Sequence, residues 1–556
     1  MRQPSLLSKV CVTRGSPWPG LVIILVCSTS LFAQAGRATQ GEWSAVETWP
    51  NVAIHAHLLP NGKVLFWGRR ETGEGLDDSD TSIPIIWDPE ANTFVKTADT
   101  PGYNLFCSGH TFMADGKLFV AGGHRHGDGQ GEPFASTYDY LQDKWERIPK
   151  LMKGGRWYPT ATTLSDGGIL VSFGTNEDTA DNVTQQIWKD GNWTQIVNFE
   201  FPGGGGRIPP YYPRMHVLPD GNVFMTGPLA LTQILAPRAA VPGQTLPGDW
   251  MFLRPDLGVA GSERLGKGRE YACSVMYGDG KVIFVGGGNP PSADCEIVDV
   301  TAADRRWKTT GKMTLARRQH NATLLPDGTV LVMGGTKGDG NSLFDNDATK
   351  PPPNAVVPAG PGVRFNDLRP GQPLRSAEVW NPNTGQWRRL ARASVDRCYH
   401  SIALLLADGR VLSAGGGEYR PYDTFFNNKN ENHPSDSHLD AQIFSPPYLF
   451  AANGAPAVRP VISSAPSEVQ YGAEFAIQIP NAPEINRVSC IRLGSVTHAF
   501  DAGQRINVLP IVNRNAGSVS VTAPENPKLC PPGHYLLFIL NQLGVPSISK
   551  IIRIGS

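Results

Sequence analysis

No apolar run in the chain is long enough to cross a bilayer: the longest, GLVIILV at 20–26, falls far short of the ~20 residues a spanning helix needs. A long basic stretch is missing too, and Lys plus Arg match Asp plus Glu at 50 each, so the electrostatic footprint of a nucleic-acid partner is absent. Cysteines and histidines are not clustered at the short spacings of a structural zinc site, and the Asp/Glu/His grouping of a two-metal hydrolase is equally wanting. Long amphipathic helical patterns are not evident either. What abounds is punctuation: 61 Gly and 47 Pro among 556 residues, with enough apolar residues (40%) for a large core, which points to an all-β chain.

The first 35 residues join Arg2, Lys9 and Arg14 to that apolar run and to an Ala33-Gln34-Ala35 cleavage pattern. We read 1–35 as a signal peptide and expect a secreted protein, extracellular or periplasmic, with no membrane span. Losing Cys11 and Cys27 with the signal leaves Cys107, Cys273, Cys295, Cys398, Cys490 and Cys530 in a compartment that permits disulfides. Cys490 with Cys530 and Cys273 with Cys295 are the two candidate bridges, although spacing alone does not fix pairing. Cys398 reads as a small buried residue.

One pattern recurs seven times: an apolar strand, an Asn-Gly or Asp-Gly turn, a second apolar strand, then usually paired glycines. HAHLLPNGKVLFWG and GHTFMADGKLFVAGG are the first two copies, and the turns fall at Asn61, Asp115, Asp166, Asp220, Asp279, Asp327 and Asp408. Each dipeptide suits a two-residue hairpin turn with positive φ. A weaker strand pair carrying a late aromatic follows, as in YDYLQDKW ending at Trp145. Four strands per unit predict a seven-bladed Kelch-type β-propeller over 36–455, its last turn-to-turn interval stretched by a Pro/Gly-rich insertion at 351–365. EFAIQI, SVSVTA and HYLLFIL then predict an immunoglobulin-like, early-set β-sandwich over 456–556.

Equivalent positions of propeller blades form a ring around one axis. Eight residues before each turn stand Ala53, Cys107, Tyr158, Tyr212, Tyr271, Gln319 and His400, with Tyr399 beside the last. Any one of these tyrosines is at home at a half-buried strand end. The set, however, is weighted towards redox-active and metal-ligating groups, and imidazole with phenolate suits Cu(II) better than structural zinc. Because free tyrosine titrates near pH ~10, a phenolate at neutral pH needs a bound cation.

YNLFCSGHTF, GGRWYPTATTLSDG, DRCYHSIALLLADGRV, DAQIFSPPYLF and RLGSVTHAFDAGQR together resemble the galactose oxidase and glyoxal oxidase family. The resemblance implies Cu(II) held by Tyr158, Tyr399, His400 and His498, with Tyr158 joined to Cys107 through a thioether and carrying a radical. It implies two-electron oxidation of a small primary alcohol or aldehyde with O₂ as acceptor, giving H₂O₂, by a chain expected to act as a monomer. Tyr399 would be the general base. Tyr212 and Tyr271 are candidates to line the substrate pocket, and Arg264, with Arg269 as its rival, is the candidate substrate arginine. Where galactose oxidases stack a tryptophan over the modified tyrosine, counting along GTNEDTADN reaches Asn176, which leaves the shielding of the radical unexplained. His124, His126, His433 and His438 read as ordinary loop residues. The competing reading is a secreted, non-catalytic Kelch propeller that binds glycan or protein through its face loops.

Overall fold

The computed structural model describes residues 36–69, 81–197, 211–237, 245–247, 250–266, 268–338, 371–417, 437–480 and 482–555. The expected signal segment 1–35, the insertion 351–365, His433 and most of the stretch 427–438 lie outside the described residues.

Alternation of apolar strands with Gly-containing turns yields seven sheets, each built on four antiparallel strands, followed by a two-sheet sandwich. The innermost strands are His55–Leu58, Gly109–Phe112, Thr160–Thr163, Met215–Val217, Cys273–Gly278, Arg318–Leu324 and Ser401–Leu405. They are almost wholly buried because they face one another around the propeller axis. Trp67, Trp87 and Trp380 are fully buried between blades, where truncating one to alanine would cost about 3–5 kcal/mol.

Six of the seven turns differ from the two-residue form expected. At Asn61 the amide of Leu59 pairs with the carbonyl of Lys63, while Gly62 N–H donates to the Leu59 carbonyl at 2.9 Å, so three residues lie in the loop. Only Gly62 has positive φ, and the Asn61 side chain caps the Lys63 amide. Asp115, Asp166, Asp220, Asp327 and Asp408 repeat the pattern, each carboxylate accepting from the amide two residues on. The side-chain cap favours a type I turn ending in a left-handed glycine over the mirror-image turn.

Two connections could not be read from the repeat. Glu42–Trp43 and Glu47–Thr48 pair with Asp440–Ser445, so the N-terminal strands complete the last blade and close the ring. In the opposite direction, Ser495–Thr497 of the C-terminal unit pairs with His55–Leu58 and becomes an extra innermost strand of the first blade.

Buried arginines recur two residues before the ring column. Arg156 bonds the Phe173 and Thr184 carbonyls, Arg317 the Gly334 carbonyl and Glu378, and Arg269 the Asp294 carbonyl and Glu296. Arg269 is therefore one of a set of blade latches, not a substrate arginine.

None of the six described cysteines is in a disulfide. Cys273 and Cys295 cannot bridge. Both face Val285 from opposite sides, so they stand two strands apart, about 10 Å, beyond the ~7 Å a disulfide spans. The expected Cys490–Cys530 bridge is likewise unformed, with both thiols buried in the sandwich core.

Candidate metal centre

Six of the seven ring-column residues share one unusual backbone state. Cys107, Tyr158, Tyr212, Tyr271, Gln319 and His400 have φ of 62, 64, 44, 52, 56 and 64°. Non-glycine residues rarely adopt this left-handed conformation, and such strain persists where surrounding structure enforces it, commonly at functional sites. The enforcement here is a run of main-chain bonds from blade to blade: Tyr158 N–H donates to the Cys107 carbonyl, Tyr212 N–H to that of Tyr158 (both 2.9 Å), and Gln319 N–H to that of Tyr271 (3.1 Å). The side chains thus converge on the axis.

The hairpin from the C-terminal unit reaches the same place. His498 and Ala499 form its tip, both at positive φ (46 and 66°), as a tight two-residue turn requires. Thr497 Oγ1 donates to the Ile54 carbonyl (3.0 Å), so it can only accept from His498 Nδ1, 2.6 Å away. That fixes the tautomer: the Nε2 lone pair of His498 points at Tyr158 Oη, 3.1 Å away.

Around that contact the structure gathers all four residues expected to bind metal. Tyr158 Oη and Tyr399 Oη touch. His400 stacks on Tyr399 at 3.8 Å and stands 4.5 Å from His498, nearly perpendicular. Among the described residues neither nitrogen of His400 meets a hydrogen-bond partner in good geometry, although the Gly417 main chain is close. Burial holds His400 and His498 well below the usual histidine range and pushes Tyr158 well above the usual phenol range. The imidazoles are therefore neutral and ligand-ready, whereas ionising Tyr158 needs a cation. Two phenols and two imidazoles, with an orphaned imidazole among them, fit a copper ion. Among the described residues no group of three or more His, Cys, Asp or Glu is arranged to hold a metal ion by those residue types alone.

Cys107 is buried with Tyr158, Tyr212, Phe106, Val52 and Ile54 in one cluster. Tyr212 packs 4.7 Å from Tyr158, its hydroxyl donating to the Ser108 carbonyl, and Tyr271 meets Tyr399 edge-on at 5.6 Å. Arg264 is not brought to this cluster. Its Nη2 donates to the Pro228 and Leu229 carbonyls and its guanidinium lies 3.6 Å over the Phe284 ring, which holds it against the blade.

Two residues escaped the sequence reading. Trp157 stacks on Tyr158 with ring centroids 3.8 Å apart and planes 6° from parallel. Its indole N–H donates to His124 Nδ1 (3.2 Å), which gives a buried role to a histidine expected to be an ordinary loop residue. Asn176 instead caps its own loop through the amides of Asp178 and Ala180. The tryptophan cover is thus supplied from the position directly before the tyrosine.

Residues 459–554 match the galactose oxidase-like early set domain, and residues 81–228 match the glyoxal oxidase N-terminus. The chain belongs to the galactose oxidase and glyoxal oxidase family. A galactose oxidase of Gibberella zeae is 25% identical across 99% of this chain and 75% of its own length. An aldehyde oxidase GLOX of Vitis pseudoreticulata is 27% identical across 81% of this chain and 82% of its own. Among solved structures, a fungal alcohol oxidase of the AA5 family in complex with copper superposes with a TM-score of 0.72 at 22% identity, covering 93% of this chain and all of that one, a likeness of fold.

Proposed function

We propose that this chain is a copper-radical oxidase that converts a small primary alcohol or aldehyde by two electrons and passes them to O₂, releasing H₂O₂. The observation that carries the reading is the meeting of Tyr158, Tyr399, His400 and His498 around one buried point, with His498 Nε2 aimed into it. Copper bound by these four side chains supplies one one-electron store and stabilises phenolate. Tyr158 supplies the second, because a thioether to Cys107 enlarges its π-system and eases its oxidation.

For an alcohol, Tyr399 takes the hydroxyl proton and Tyr158 the carbon-bound hydrogen. The products are the aldehyde and, with both electrons and both protons delivered to O₂, one H₂O₂. Trp157 covers one face of Tyr158, while Tyr212 and Tyr271 bound the space beside it. We further propose that the chain is exported through 1–35, which N-terminal sequencing of secreted protein checks, and acts as a monomer.

The test is a peroxide-coupled screen of sugar alcohols, simple and aryl alcohols and aldehydes with copper-loaded protein, repeated with Cys107→Ser and Tyr158→Phe. The reading expects turnover that both substitutions abolish. Equal rates in parent and variants would refute it, and absence of stoichiometric copper uptake would favour a binding propeller.

A further inference from the structure

Directly behind Cys107 lies a chain of buried histidines that the oxidation itself does not use. His55 and His57 alternate on the innermost strand of the first blade, His110 lies on that of the second, and all three are almost completely inaccessible. The main-chain N–H of Cys107 donates to His55 Nε2 at 3.2 Å. His55 Nδ1 is 3.1 Å from His110 Nε2, His110 Nδ1 is 2.7 Å from Ser495 Oγ, and Ser495 Oγ is 2.9 Å from His57 Nδ1.

Burial holds all three rings below the ordinary histidine range, so each is neutral and has one donor and one acceptor nitrogen. One amide then orders the whole chain. Since a main-chain N–H can only donate, His55 Nε2 accepts and the proton of His55 sits on Nδ1. It is given to His110 Nε2, which places the His110 proton on Nδ1, facing Ser495. The Ser495 hydroxyl accepts that bond and donates to His57 Nδ1, leaving His57 with its N–H on Nε2. That last nitrogen is buried with no partner among the described residues.

This chain runs between the two parts that must meet. At one end Cys107 is held on both sides of its left-handed residue, its amide by His55 and its carbonyl by the Tyr158 amide. Through Ser495, one bond short of its far end at His57, the chain reaches the strand Ser495–Thr497, which pairs with His55–Leu58 and leads into His498 at the hairpin tip. A thioether is sensitive to such placement. Closing it breaks the Cys107 S–H and one C–H beside the Tyr158 hydroxyl, forms a C–S bond, and sends two protons and two electrons to O₂ as H₂O₂. No chain atom compensates if the sulfur arrives off the ring edge.

We propose that His55, His110 and Ser495 are positioning residues for cross-link formation, fixing the Cys107 main chain relative to the hairpin so that Sγ meets the Tyr158 ring. The inference rests on the thioether reading above. It adds that a hydrogen-bond pattern, and not only ring volume, sets the rate of closure.

The experiment prepares the full chain copper-free as parent, His110→Phe, His110→Gln and Ser495→Ala, adds Cu²⁺ in air, and follows the cross-linked peptide by denaturing-gel mobility and mass spectrometry. Phenylalanine keeps bulk but breaks both bonds; glutamine restores one acceptor and one donor. The expected result is closure slowed about 10-fold or more in His110→Phe and Ser495→Ala, with His110→Gln near the parent and copper uptake equal in all four. Closure at the parent's rate in both disrupted variants overturns the proposal. So does a glutamine variant as slow as phenylalanine, or slowing that merely follows lost copper uptake or a lost melting transition. A parent that never cross-links removes the thioether reading itself, an outcome distinct from all of these.

Discussion

Trp157 lies parallel to Tyr158 at 3.8 Å although the two are neighbours in the chain. Neighbouring side chains on an extended strand point to opposite faces; the φ of 64° at Tyr158 turns its ring back under the indole. The tryptophan therefore shields the residue assigned the radical, and His124 holds the indole in place.

Replacing Trp157 by phenylalanine keeps an aromatic cover but loses ring area and the bond to His124. We expect the fold to persist and the oxidised form to decay roughly 3–10 times faster, in line with the ~0.5–1.5 kcal/mol of a stacked pair. The absorbance half-life of the oxidised, copper-loaded protein without substrate measures this.

Thr497→Val removes the acceptor that fixes His498 Nδ1–H, whereas Thr497→Ser keeps it. Copper affinity is expected to fall roughly 10–100-fold in the valine variant and little in the serine variant, as read by chelator competition.

Asp501, at the base of the same hairpin, has its carboxyl pushed up to about 6 by burial, from an ordinary value of 3.8. The folded state then holds its proton more tightly than the unfolded chain. Its contribution is fully present below the unfolded value and is lost as pH rises from about 4 through about 6. The side chain is only half-buried, so screening limits the loss to ~1–2 kcal/mol. Urea unfolding at about pH 4 and about pH 7 should show this component in the parent and not in Asp501→Asn, which keeps an acceptor for the Gly503 amide.

Much of this site was legible in the sequence because a propeller converts a constant offset from a turn into a ring. Cys107, Tyr158 and His400 could be named from seven turns, and the structure gathers them at one end of the innermost strands. What stayed hidden depends on quantities a sequence does not display. Positive φ, not residue type, puts Trp157 over Tyr158, and the chain through His55, His110, Ser495 and His57 joins residues as many as 438 positions apart. Arg264 misled because alignment to a family position says nothing about which carbonyls claim the guanidinium. The strands at 42–48 that close the last blade carry no turn motif and fell outside the repeat.

The cysteine pairing gives a chemical check on the blade register. Alkylation of protein unfolded without reductant should modify both Cys273 and Cys295, since Val285 separates them. A peptide joining these two cysteines would contradict the strand order of that blade.

The most direct measurement is the covalent state of Cys107 in copper-loaded protein. After denaturation and digestion, the account predicts one species joining the peptides of Cys107 and Tyr158, two hydrogens lighter than their sum, with no alkylatable thiol at Cys107. Separate peptides with a freely alkylated Cys107, from protein that nonetheless oxidises alcohols or aldehydes at full rate, would contradict it.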